Sequence, residues 1–128
     1  MIKKTVNYTD FNGVAQTEEL YFNLTKMELV KLDAEFVGGL QQTIQTAVDN
    51  NDTKTIMDCI EKILIKGYGK KSDDGKRFIK SAEMAEEFKQ SAAFDEVFYQ
   101  IASNEDEASA FITGLMPADL MNQIPNQK

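Results

Sequence analysis

The hydrophobic period of this chain changes once, and that change constrains its fold more than any other feature. Between Ile2 and Tyr8 the residues alternate, with Ile2, Val6 and Tyr8 on one face and Lys3, Thr5 and Asn7 on the other, a pattern typical of a strand with one buried face. Asn12-Gly13 favours a tight turn, and a second run from Val14 to Phe22 completes a predicted β-hairpin. A hairpin alone is marginal in water, so we expect it to pack on helices or to pair with strands of another chain.

From Thr25 onward, apolar residues recur with helical spacing. Thr25 and Glu28 form a capping-box pattern at the first of about six predicted helical segments. The strongest segment starts near Thr53 and stops at Gly67, whereas Gly69 to Lys76 is predicted to be a polar loop. A hairpin followed by helices predicts an α+β fold that is mostly α, not a parallel α/β sheet.

The length of 128 residues fits one domain. We predict a single domain over residues 1–128, with the hairpin at 1–24, a helical body at 25–122 and a frayed tail at 123–128. The N-terminus lacks the apolar stretch of a signal peptide, and no run approaches the roughly 20 apolar residues of a membrane helix. We therefore expect a cytoplasmic protein without a membrane partner.

The formal net charge of −7 lies entirely in the last third of the chain. Residues 1–80 hold 12 Lys/Arg and 12 Asp/Glu, whereas residues 81–128 hold two lysines and nine acids. This excess disfavours nucleic acid, because phosphates repel it. It fits either a solvated helical face or a surface for a basic partner, and the candidate acidic surface comprises Glu86, Glu87, Glu105 and Glu107.

Residues that carry common enzyme chemistry are missing. The chain has no histidine and one cysteine, Cys59, which excludes a Cys/His zinc site and a His-based nucleophile system. The run from Gly67 to Ser72 fails the phosphate-loop pattern, because Leu64 stands where the first glycine is needed. We predict no catalytic, cofactor-binding or metal-binding residues and no enzyme activity, although paired acids leave a carboxylate-only hydrolase as the least favoured alternative.

Four apolar residues fall off or at the edge of the predicted core stripes. Tyr and Met are favoured at protein interfaces, but isolated exposed apolar residues are also ordinary. Both interpretations stay open for the candidate partner-binding residues Tyr21, Met27, Tyr99 and Met121.

The order of these weak turn and cap motifs resembles the tail assembly chaperones of siphophages and prophages of Gram-positive bacteria. The resemblance covers most of the chain. It rests on Asp10-Phe11-Asn12-Gly13-Val14, Glu18-Glu19-Leu20-Tyr21-Phe22-Asn23-Leu24-Thr25-Lys26, Ile65-Lys66-Gly67-Tyr68-Gly69, Ser72-Asp73-Asp74-Gly75-Lys76-Arg77-Phe78 and Phe111-Ile112-Thr113-Gly114-Leu115-Met116-Pro117.

The resemblance implies a non-catalytic protein that binds the tape measure protein, keeps it soluble and helps to recruit the major tail protein. It also implies a protein of the host cytoplasm that is absent from the finished virion, and a short form that a frameshift could extend. Self-association into a homo-oligomer is expected. The alternative is an acidic inhibitor, or nucleic-acid mimic, that binds a basic groove of a host enzyme.

Overall fold

The computed structural model describes residues 1–115, and within them it has four strands and six helices. The α+β, mostly helical prediction is confirmed. The predicted terminal helix, Met121 and the tail at 123–128 lie outside the described residues. In chain order the elements are β1 (Ile2–Thr9), β2 (Ala15–Phe22), α1 (Lys26–Ala34), α2 (Leu40–Asp49), α3 (Thr53–Gly67), β3 (Tyr68–Lys71), β4 (Phe78–Ile79), α4 (Ala82–Lys89), α5 (Ala92–Ala102) and α6 (Glu105–Leu115).

The predicted hairpin is confirmed, and its pairing runs from Ile2 opposite Phe22 to Thr9 opposite Ala15. Val6 faces inward and is fully buried beneath α5, which packs across β1. The outer face of the two strands is mostly polar, as the alternation requires. The hairpin therefore gains its stability by packing one face on helices of its own chain.

A four-stranded antiparallel sheet of order β1-β2-β3-β4 replaces the isolated hairpin. The predicted polar loop from Gly69 to Lys76 was wrong at its start, since β3 pairs Gly69 with Tyr21. In β4, Phe78 is half-buried and Ile79 is exposed. The hydrophobic period does not indicate β3, because this strand has only four residues and two of them are exposed lysines.

Aromatic rings join the sheet to the last three helices. Phe22 of β2 lies 5.3 Å from Phe111 of α6 and 5.9 Å from Phe88 of α4, measured between ring centroids. Phe88 in turn stacks on Tyr68 of β3 at 4.0 Å and meets Phe94 of α5 edge-on at 5.1 Å. Such pairs add to the free energy of apolar burial, so this cluster is the structural centre of the molecule.

The capping box predicted at Thr25 is present: its hydroxyl accepts from the Glu28 N–H, and the Glu28 carboxylate accepts from the Thr25 N–H at 2.9 Å. A long-range lysine completes this region. The Lys80 ammonium donates to the carbonyls of Asn23 and Lys66, at 2.7 and 2.8 Å, and to Glu28 at 2.9 Å. Lys80 thus ties the start of α1 to the end of α3.

Candidate protein-binding surfaces

The helix α1 is apolar on two faces. Leu29 and Leu32 are buried in the core, whereas Met27 and Val30 are 61% and 48% exposed. A soluble helix usually buries one stripe and keeps the other side polar. We call the outward surface of Met27, Val30 and the exposed Lys31 the α1 patch. Val30 and Lys31 lie three and four positions after Met27, so each is a neighbour of Met27 on the helix surface.

A shallow groove of about 540 Å³ lies between the turn of the hairpin and the junction of α4 with α5. We call it the tip groove. Aromatic side chains and small polar groups line it, with carboxylates on the α5 side and a lysine on the α4 side. Its lining residues are Tyr8, Thr9, Phe11, Lys89, Gln90, Ser91, Ala92, Phe94, Asp95 and Glu96.

Phe11 projects from a rigid turn beside this groove. The Asp10 carboxylate accepts hydrogen bonds from the backbone N–H of Asn12 and of Val14, both at 2.9 Å. The Gly13 N–H donates to the Asp10 carbonyl, and Gly13 has a φ of 80°, which glycine adopts without strain. The turn is held by its own hydrogen bonds, yet the Phe11 ring is 85% exposed. An aromatic displayed in this way is suited to anchor a partner.

The residue pattern alone does not predict Phe11 as a binding residue, because the Asn-Gly pair already accounts for a turn in this segment. A signal was nevertheless present. Turn positions favour Gly, Pro, Asn, Asp and Ser, so a phenylalanine inside Asp10-Phe11-Asn12-Gly13 is out of place by composition.

The structure places three of the four predicted partner-binding residues on three different elements. Tyr21 is half-buried on β2, on the opposite face of the sheet from the core. Met27 belongs to the α1 patch, and Tyr99 of α5 is 70% exposed, one helical turn beyond Asp95. Met121 lies outside the described residues. A role for each in partner binding stays a prediction.

The predicted acidic residues are distributed over α4 and α6. Glu86 and Glu87 are exposed on α4, and Glu86 accepts a hydrogen bond from Gln90 at 2.6 Å. Glu107 accepts from the Lys4 ammonium at 2.8 Å, an ion pair that joins α6 to β1. Glu105 is the first residue of α6. Glu107 therefore has a structural contact in addition to its predicted surface role.

The titratable groups with altered pKa values have structural explanations. Cys59 is buried, and this burial raises the pKa of its thiol, which disfavours the reactive thiolate. A hydrogen bond to the Glu18 carboxylate raises the pKa of Tyr8 to about 12. Within residues 1–115 no group of three or more His, Cys, Asp or Glu side chains is placed to hold a metal ion. In the same part of the chain, no helix has the length and apolar character to cross a membrane.

The run that superficially suggests a phosphate loop lies in the end of α3 and in β3, and a closed turn follows it at residues 72–77. The Asp74 carboxylate accepts from the Lys76 N–H at 3.0 Å and from the Ser72 hydroxyl at 2.7 Å. These bonds, led by the Lys76 N–H, lower the pKa of Asp74. The carboxylate thus serves the turn between β3 and β4.

A comparison with protein families identifies the family to which the chain belongs. The family model described as phage tail assembly chaperone matches residues 1–128, the whole sequence. The chain belongs to the phage tail assembly chaperone family. No curated protein and no solved structure matches it in the corresponding comparisons.

Membership of this family confirms the predicted resemblance to phage tail assembly chaperones. A phage tail assembly chaperone works with tail proteins. The family assignment gives no support to the alternative of an acidic inhibitor.

Proposed function

We propose that this chaperone binds the tape measure protein of its phage, keeps it soluble and helps to recruit the major tail protein around it. The observation that carries the proposal is the family match over the whole chain. On this account the chaperone acts in the host cytoplasm, is absent from the finished virion, self-associates and works by binding, without catalysis.

The surface chemistry supports this role. A long helical client exposes apolar faces until the tail tube covers it, so its chaperone needs apolar contact residues of its own. Exposed apolar side chains that lie outside the α1 patch and the tip groove, among them Val37 and Met57, provide such residues. The exposed carboxylates of Glu86 and Glu87 add like charge, which opposes aggregation of the coated complex.

Co-expression tests the proposal. A fragment of the tape measure protein encoded by the same phage is produced alone, with the wild-type chaperone, or with a Glu86→Lys/Glu87→Lys variant. We expect the wild-type chaperone to raise the soluble fraction of the fragment and to co-elute with it, and the variant to bind but to solubilise less. A fragment that stays insoluble and does not co-elute with the wild-type chaperone contradicts the proposal.

A further inference from the structure

The α1 patch and the tip groove lie at opposite ends of the hairpin. The tip groove surrounds the turn after Thr9, whereas the α1 patch follows shortly after Phe22. The hairpin has eight residue pairs between these ends. The seven steps from the first pair to the last span about 23 Å at the usual rise of about 3.3 Å per residue. Neither surface can therefore cover the other within one chain.

The chemistry of the two surfaces is complementary. The α1 patch presents the Met27 thioether and the Val30 side chain, with the Lys31 ammonium beside them. The tip groove presents the exposed ring of Phe11 and the half-buried side chain of Tyr8. Thioethers contact aromatic ring edges favourably, so the apolar parts match.

The charged rims also match. Asp95 and Glu96 stand on the α5 side of the groove, and Tyr99 extends the same helix by one turn from Asp95. The only lysine in the groove lining is Lys89, at the end of α4. A basic side chain that enters the groove along α5 therefore meets carboxylates. The Lys31 ammonium of a second copy could supply this positive charge.

We propose that the α1 patch of one copy of this chain docks into the tip groove of the next copy. This interface deepens the self-association in the proposed function and rests on it. Because the two surfaces are different and lie at opposite ends, the contact is heterologous and joins copies head to tail. Each added copy leaves one groove and one patch available at the ends of the assembly. Met27 and Phe11 then lie on the two sides of one interface.

Sedimentation velocity over a range of concentrations measures the assembly. The two interface variants are Phe11→Ser and Met27→Ser, and the matched control is Val48→Ser, an exposed valine on α2 outside both surfaces. All three side chains are largely exposed, so the variants are expected to fold. Truncating an interface anchor should weaken self-association about tenfold or more in each interface variant and leave the control unchanged.

Mixing the two interface variants gives a more specific test. The Phe11→Ser chain keeps an intact α1 patch, and the Met27→Ser chain keeps an intact tip groove. An equimolar mixture should form a 1:1 dimer that does not grow, because the two remaining surfaces are both damaged. A mixture that stays monomeric, or that grows as the wild type does, overturns the head-to-tail interface.

The outcomes separate this interface from the proposed function. A wild-type chain that is monomeric at every concentration overturns self-association itself. Wild-type oligomers that neither variant weakens overturn this interface and leave the proposed function intact. The groove belongs to the client, not to a second copy, if Phe11→Ser loses the tape measure fragment while its self-association is unchanged.

Discussion

Phe22 and Phe11 stand at the two ends of one hairpin in opposite surroundings. Phe22 is fully buried among the rings of Tyr68, Phe88 and Phe111. Phe11 is displayed to solvent on a turn whose backbone groups are satisfied by Asp10 and Gly13. The base of the hairpin therefore stabilises the fold, whereas its tip presents a side chain that does not pack in the core.

The same contrast extends to charged groups. At the base, the Lys80 ammonium satisfies two backbone carbonyls and the Glu28 carboxylate. At the tip, the Asp95 and Glu96 side chains line an open groove. Substitutions at the base should change the free energy of unfolding, whereas substitutions at the tip should change binding.

The largest expected effect is that of Phe22→Ala. It removes the ring at the centre of the aromatic cluster and should lower the free energy of unfolding by about 3–5 kcal/mol. Phe11→Ala, the matched change at the other end, should alter it by less than about 0.5 kcal/mol. Urea denaturation of both variants measures the difference. Equal losses would contradict the division between base and tip.

Gly69→Ala should come next. A Cβ at this position would lie 2.5 Å from the Phe78 ring and 2.7 Å from the Ile79 carbonyl oxygen, so β3 and β4 would have to separate. Overpacking of this kind costs about 1–3 kcal/mol. Gly67→Ala is the control, because its Cβ would meet Phe22 at an ordinary 3.6 Å. In thermal unfolding, Gly67→Ala should have a clearly higher melting temperature than Gly69→Ala. The reverse order would refute the close packing of Gly69 against Phe78 and Ile79.

Lys80→Met should cost about 1–2 kcal/mol of unfolding free energy. The change keeps most of the aliphatic stem but removes the hydrogen bonds to Asn23 and Lys66. Lys76→Met, in the exposed turn before β4, is the control. Chemical denaturation that finds the two variants equally stable would show that Lys80 does not hold the base.

Acid should weaken the base through Glu28. Burial raises the pKa of this carboxyl, but the Thr25 N–H and the Lys80 ammonium outweigh it, so the pKa lies below its usual 4.5. The resulting stabilisation is present above pH 4.5 and is lost as pH falls through the lowered value.

Glu28→Gln keeps the capping box but not the charge, so its unfolding free energy should fall less steeply with acid. We expect a smaller effect than that of Lys80→Met, because the Glu28 side chain is partly exposed. An unchanged slope for Glu28→Gln would be evidence against this linkage.

The smallest global effect is expected for Asp10→Ala at the tip. It removes the acceptor for the Asn12 and Val14 N–H groups, so amide exchange at these two positions should become faster. Exchange at Val6, buried in the same strand pair, should not change. Hydrogen exchange followed by NMR measures both. Faster exchange along the whole hairpin would mean that the turn and the base are not independent.

Periodicity and capping chemistry predicted the parts of the fold that depend on nearby residues. The hairpin alternation, the Thr25 capping box and the helix from Thr53 to Gly67 are confirmed for this reason. The pairing of β3 with β2 was missed because it joins residues 48 positions apart, Tyr21 and Gly69, through backbone groups. The Lys80 contacts were missed for the same reason, since side-chain identity alone does not indicate a long-range partner.

The candidate surfaces were predicted less completely. Met27 and Tyr99 were selected because they fall off the core stripes, and both are exposed. Phe11 was not selected, because a turn explained its segment and only the structure reveals an exposed ring above a groove. The distribution of charge was visible in composition, but the ion pair between Lys4 and Glu107 required the packing of α6 on β1.

The central claim is that this chaperone protects a tape measure protein by binding it. Light scattering of a tape measure fragment that aggregates on dilution from denaturant tests this directly, with purified chaperone and no nucleotide or metal present. The account predicts that scattering falls in proportion to added chaperone and is suppressed near a fixed molar ratio. Scattering that is unchanged at a large excess of folded chaperone would contradict it.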